Sequence, residues 1–391
     1  MIKKRWKVKN NFSDNINKII NWWNAKKEDV STFLVPIISI IVAFIVAGIM
    51  IKATGKSPIQ AYKLLFEGAF GSSLKEFLSL KQAGEGLLKG AILTLTGLSV
   101  TVAFKVGLFN IGAEGQFIIG SIVAAYFGYI FNLPSIIGIP LILILVGIVS
   151  GLYGAFAAWL KVKRGVHEVI TTIMLNWIAI HLVENWIVVG PFNILKYYPG
   201  TLLVGTPYVT DSSRLKPLFE GTRLNALIFI AIIAVIIIYI IINKTVLGYE
   251  IQATGLNINA AKYAGINTSK TMIISMFIAG ALSGISGACM ILGIEGRYPG
   301  VFSQGYGFDG ITMSLIGNTT PIGTFIAAIF FGFVRAGATG MQLMGIHKSF
   351  TDIIQGFATI FVAGQSGIKY LLFLIGEKRA IKTKEATDGN Y

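Results

Sequence analysis

Long apolar stretches recur along this chain, each close to the ~20 residues that one helical crossing of a bilayer needs. They occupy residues 33–51, 86–104, 111–131, 134–160, 169–189, 224–242 and 272–292, followed by an interrupted stretch at 308–334 and a last one at 353–375. Few folds are open to such a chain. Charged residues make up 13% of the sequence, about half of the ~25% that an ordinary soluble domain carries. A soluble core cannot absorb that apolar excess, and the chain reads as one membrane domain with polar ends. About 30 polar residues precede the first stretch, too many for the charged region of a cleavable signal, so 33–51 is expected to remain as an anchor.

The formal charge of +15 comes from 33 Lys and Arg residues set between and beyond the apolar stretches. That is where membrane topology is encoded, so the charge implies orientation rather than nucleic-acid binding. The single cysteine, Cys289, lies inside an apolar stretch. Neither a disulfide framework nor a cysteine metal site can be built within one chain.

Residues 1–32 hold Lys3, Lys4, Arg5, Lys7, Lys9, Lys18, Lys26 and Lys27, which places this end in the cytoplasm. Alternation then puts Lys161, Lys163 and Arg164 inside, along with 243–271, and leaves 52–85 and 190–223 outside. The basic end around Lys378–Lys384 is also expected inside, so the number of crossings is even. One helix over 308–334 would give about nine crossings, whereas two short helices meeting at Asn318–Pro321 give about ten. The expected fold is therefore all-α: a polytopic transmembrane helical bundle of about ten spans, N-in and C-in, with short broken helices near 308–334. Its organisation is a basic cytoplasmic segment at 1–32, a membrane domain at 33–375 and a basic cytoplasmic tail at 376–391. Broken helices at membrane depth need protein or water to satisfy their free backbone groups, so Asn318–Pro321 is expected to face inward.

Segments rich in polar residues and glycine carry the candidate chemistry. GLFNIGAEGQ at 107–116 joins the second and third spans and brings Asn110, Glu114 and Gln116 to the edge of the bilayer. A carboxylate there must face protein or water. These residues suit either a solute path or a tight, capped turn. HEVITTIMLN at 167–176 sets Glu168, Thr172 and Asn176 four apart, which makes one polar stripe on a helix. Thr172 and Asn176 suit a path for a hydroxylated solute or hydrogen bonds to neighbouring helices. The three histidines of the chain match no metal pattern, and no metal site is expected. In 305–323, Asp309 is placed to cap a helix and Asn318 to separate two half-helices, whose ends expose dipoles and free carbonyls.

GLNINAAKYAGI at 255–266 reads as a compact cytoplasmic helix. Asn257 or Asn259 caps its start, Ala260, Ala261 and Ala264 keep it slim, and Gly265 suits a left-handed stop after Gly255 opens the segment. Such a stub fits a groove on another protein or lies on the membrane surface.

These motifs, in this order, resemble permease subunits of bacterial ABC importers for nucleosides, a superfamily shared with simple-sugar (ribose-type) and branched-chain amino-acid permeases. The resemblance rests on the segments at 107–116, 167–176, 255–266 and 307–317 and covers about 33–375. It implies a pore-forming subunit in the bacterial plasma membrane, surrounded by membrane lipid. Its implied partners are a second, similar permease, a cytoplasmic ABC ATPase and an extracytoplasmic substrate-binding lipoprotein. The stretch with Gly255, Asn257, Asn259, Ala260, Ala261, Ala264 and Gly265 matches the family's ATPase-coupling helix. Cofactors bound by this chain are expected to be none, with ATP used by the partner: no G-x-x-x-x-G-K-[ST] phosphate loop occurs in the sequence. A ribose-type sugar is the alternative solute. An ion-coupled secondary transporter would use Glu114, Glu168 and Glu184, but no inverted repeat accompanies them. A lipid-acting membrane enzyme lacks any G-x-S-x-G elbow.

Overall fold

The computed structural model describes residues 36–364, apart from 74–75, 78, 189–204, 301, 303–304 and 348. The basic segment 1–32, the tail 376–391 and the last apolar stretch beyond 364 lie outside the described residues. Two compact units are distinguished: Met1–Ala47 with Ile353–Tyr391, and Gly48–Asp352. Within the first, the described residues are helical up to Ala363.

The helices are α1 (Pro36–Ala53), α2 (Pro58–Phe70), α3 (Lys81–Lys105), α4 (Ala113–Ile130), α5 (Ser135–Arg164), α6 (Glu168–His181), α7 (Leu227–Lys244), α8 (Val246–Leu256), α9 (Ile258–Tyr263), α10 (Thr268–Met290), α11 (Tyr306–Ile316), α12 (Pro321–Gln342) and α13 (Ser349–Ala363). Two of them run on as π-helical turns, α6 through Leu182–Val188 and α10 through Ile291–Glu295. Among the described residues there are two isolated β-bridges and no named strand. The expected all-α helical bundle is thus the observed fold. Among the described residues seven helices are long and apolar enough to cross a membrane, and the chain is a multi-pass membrane protein.

In the larger unit α3 is central: it packs against α7, α10, α11 and α12, while α10 also packs against α4 and α5. Lipid tails are as apolar as leucine, so helices here associate by close packing rather than by hiding apolar surface from water. Close approach needs small residues. A Cβ added at Gly332 of α12 would collide with the backbone of Gly86 and Gly90 on α3, and one at Gly284 of α10 would strike Ser150 on α5. Hydroxyls within α3 cost little because they bond back to their own helix: Thr94 Oγ1 donates to Gly90 O (2.8 Å) and Thr101 Oγ1 to Gly97 O (2.9 Å).

The interruption at 318–321 is real, but its two sides are unequal. Helix α11 has 11 residues, about 16 Å, roughly half of the ~30 Å hydrocarbon core. By contrast α12 has 22 residues and is a full-length helix, not a short one. It outlasts the expected boundary at 334 because Ala336, Gly337, Ala338 and Gly340 continue it. These small residues receive α2, whose Leu64 and Leu65 carbonyls would collide with any Cβ at Gly340 and Gly337. Helix α2 itself lies in a stretch that reads as an outside loop. The inward placement of the interruption holds for Pro321, which is buried, but Asn318 and Thr320 are exposed. Asn318 and Thr319 are both left-handed, with φ of 52° and 50°; asparagine tolerates that region better than most residues.

Candidate translocation site

The joint between α3 and α4 is built from the residues its sequence singles out. Gly107 turns the chain at φ +78°, and the backbone then brings Asn110 inward, where it is fully buried. Its Nδ2 donates to Gln116 Oε1 (2.9 Å) and to Ser99 Oγ (3.2 Å), while Gln116 Nε2 donates back to Asn110 Oδ1 (3.1 Å). The two amides form a reciprocal pair. Asn176 of α6 closes over the same joint, its Nδ2 donating to Ile111 O (2.8 Å) and its Oδ1 accepting the Gly115 N–H (2.7 Å). One turn earlier, the buried Thr172 donates to Val169 O (3.1 Å) and sits against Gly112. Glu168 begins this stripe and pairs with Lys161 at 2.6 Å.

Glu114 is the focus of the cluster. It stands in the first turn of α4, is fully buried, and accepts the N–H groups of Gly305 (3.2 Å) and Gly307 (2.6 Å) at the start of α11. Two helix N-termini, each carrying partial positive charge, therefore converge on one carboxylate. Gly307 admits no side chain, since a Cβ there would collide with the Glu114 backbone. Ser283 of α10 donates to Ala113 O (2.6 Å) from the far side. The arrangement fixes the ends of α4, α6 and α11 relative to α3 and α10.

Asp309 is not a cap: α11 starts at Tyr306 after a left-handed Gly305, and Asp309 sits within the first turn. Its carboxylate pairs with Arg335 of α12, whose guanidinium lies 4.1 Å from the centroid of the Tyr306 ring. The structure thus brings Asn110, Glu114, Gln116, Thr172 and Asn176 together. Asp309 joins a second, ionic cluster, and Asn318 stands apart at its exposed turn. Sequence reading missed Ser99 and Ser283, which complete the first cluster, and a hydroxyl set in which Thr101 Oγ1 lies 2.9 Å from both Ser314 Oγ and Thr324 Oγ1. The row Thr94, Thr96, Ser99, Thr101 along α3 was the available signal.

Beside the start of this joint, where Gly107 meets Gly255, 255–266 forms the end of α8 and the whole of α9. Asn257, rather than Asn259, is the cap: its Oδ1 accepts the N–H groups of Asn259 and Ala260, both at 3.0 Å. Gly265 ends the stub at φ +82°, as a left-handed stop requires. Ala260 and Ala264 are exposed, but Ala261 is 2% exposed and faces the protein itself. Large apolar side chains stand out instead, with Leu256 88% and Tyr263 95% exposed. Gly255 rests on the end of α3, where a Cβ would collide with Lys105 O. Among the described residues no group of three or more His, Cys, Asp or Glu side chains is placed to hold a metal ion.

A family model described as branched-chain amino acid transport system / permease component matches residues 82–363, which contain both clusters and the stub. The chain belongs to that permease family. The permease is 34% identical over 363 residues to the guanosine ABC transporter permease protein NupP of Bacillus subtilis, covering 90% of this chain and 99% of the relative. It is 36% identical over 362 residues to the nucleoside ABC transporter permease protein NupB of Lactococcus lactis, covering 90% and 96%. The glucose ABC transporter permease protein TsgB13 of Haloferax volcanii is 27% identical, with 84% and 86% covered. No solved structure matches the permease. As a permease component it moves a solute and is not itself an enzyme.

Proposed function

We propose that this permease is the membrane subunit of an ATP-driven importer for nucleosides in a bacterial plasma membrane. The observation that carries the reading is the near-complete coverage, at 34–36% identity, of relatives named for guanosine and nucleoside transport; the sugar-named relative is more distant. The permease domain spans 33–375, crosses about ten times with both termini in the cytoplasm, and works beside a second permease, an ABC ATPase and a substrate-binding lipoprotein. ATP is consumed by the ATPase. The polar joint around Asn110, Glu114, Gln116, Thr172 and Asn176 sits beside the solute path and sets the angle between the helices that line it. Helix α9 is the coupling element, and its geometry favours contact through Leu256, Tyr263, Ala260 and Ala264, with Ala261 holding the stub to its own bundle.

The test is uptake of radiolabelled guanosine by vesicles containing the assembled importer. ATP-dependent guanosine uptake that glucose and ribose do not compete for is expected. Uptake without ATP, or uptake of sugars alone, overturns the reading. In the same vesicles Leu256→Asp with Tyr263→Asp is expected to lower uptake about tenfold while the subunit remains folded, since central apolar anchors dominate interfaces.

A further inference from the structure

Helix α6 and its π-helical continuation carry two faces. One holds Glu168, Thr172 and Asn176 against the polar joint; the other is exposed and holds Ile170, Met174, Trp177, Ile178, Leu182 and Trp186. Two polar side chains interrupt this exposed face, His181 and Asn185. With the basic end of α5 in the cytoplasm, the rise from Glu168 to His181 is about 20 Å, which ends inside a hydrocarbon core of ~30 Å. A histidine at that depth is costly against lipid, and such residues face protein or water instead. The exposed ridge of α7 shows what lipid selects: Ile232, Ile233, Ile236, Ile237 and Ile240. The exposed face of α6 therefore meets something other than lipid.

The chemistry of the face indicates what it meets. The Trp177 indole stacks on the His181 ring, with centroids 5.9 Å apart and planes 24° from parallel. Asn185 Nδ2 lies 3.0 Å from His181 Nδ1. An amide nitrogen only donates, so His181 Nδ1 accepts and the neutral ring keeps its proton on Nε2. The pair then offers one donor, His181 Nε2–H, and one acceptor, Asn185 Oδ1. Neighbouring donors and acceptors are what the edge of a nucleobase presents, and a flat indole matches its face. From Glu168 to Val188 there is no Lys or Arg to meet a phosphate. Asn185 and Trp186 stand in the π-helical turn Leu182–Val188, a form that recurs at functional sites.

We propose that the Trp177–His181–Asn185 face of α6 lines the aqueous solute path and reads the base of a nucleoside, with Trp177 as the stacking platform and His181 and Asn185 as partners of the base edge. This deepens the importer reading above and rests on it. The test uses the assembled importer in vesicles during ATP turnover. Met174→Cys places a thiol on the same face and leaves the three readers intact, while Ile236→Cys on α7 is the lipid-facing control; the native Cys289 is buried. Modification by a charged, membrane-impermeant thiol reagent is read at each residue by mass spectrometry. Modification is expected at 174 and not at 236, slowed about tenfold by excess guanosine and not by ribose. Trp177→Ala is expected to lower guanosine uptake about tenfold, with most of it restored in Trp177→Phe, which keeps a stacking ring. No modification at 174, in vesicles that import guanosine, means that the face is packed on protein or lipid and overturns the site while the importer reading stands. Protection by ribose equal to that by guanosine, or none by guanosine, overturns the reading of the base. Wild-type vesicles that take up no guanosine overturn the nucleoside reading on which the site rests.

Discussion

Helices α3 and α7 pack against each other, yet they treat apolar side chains in opposite ways. The more apolar of the two is α7, and only 28% of its apolar window is buried; α3 is less apolar and 83% of its window is buried. The ridge Ile232, Ile233, Ile236, Ile237 and Ile240 on α7 is exposed, whereas α3 is buried without interruption from Gly90 to Ala103. In water this would be inverted. With lipid as the outer solvent, hydrophobicity marks the helix that faces away, and glycine and hydroxyl residues mark the one at the centre. For such a chain, the most apolar segments say least about where solute moves.

Four substitutions sharpen or break that contrast. Gly332→Leu, which drives a side chain into the α3 backbone, is expected to abolish a monodisperse peak in detergent size exclusion, a loss above about 4 kcal/mol. A native elution profile would mean that the α3–α12 contact is not needed. Next comes Ile236→Lys at the middle of the exposed ridge, expected to reduce membrane insertion by about 2.5–3.5 kcal/mol, read in a glycosylation-site insertion assay. Unaltered insertion would show that the ridge meets water or protein instead of lipid. Leu95→Ala, at a fully buried position of α3, is expected to destabilise by about 2 kcal/mol in thermal unfolding, because a cavity opens where packing was complete. The smallest effect belongs to Ile236→Ala, below about 0.5 kcal/mol in the same assay, since lipid refills the space. Equal costs at Leu95 and Ile236 would erase the distinction between the two helices.

The elements most legible in the sequence are those governed by local rules. Span-length apolar stretches, the break before Pro321, the cap at Asn257 and the stop at Gly265 each depend on a few neighbouring residues. What escaped depends on distant partners. Helix α2 is too short to read as a crossing, and the residues that receive it, Gly337 and Gly340, lie far along the chain. The reach of α12 to Gln342 is hidden by the same small residues, which look unlike a span until α2 is laid on them. The inward face of Ala261 was not legible because α9 has six residues, less than two turns, too few for a hydrophobic period to declare a face. Asn110, Glu114, Gln116, Thr172 and Asn176 were recognisable as polar candidates alongside Asp309 and Asn318, but not which of the seven meet, nor the bonds that fasten Glu114 to Gly305 and Gly307, since those tie residues of α4 to another helix's first turn.

The contact between Gly107 and Gly255 gives α3 a mechanical character. A Cβ at Gly107 would lie 3.3 Å from Gly255 Cα, so backbone meets backbone with no side-chain rotamer between them to absorb a displacement. Densely packed interiors pass strain on instead of damping it. Helix α3 is thus a connecting rod, seated at one end on the stub and at the other beneath Lys81, Gln82 and Glu85. Any displacement of the stub therefore meets the backbone of α3 before it meets a side chain.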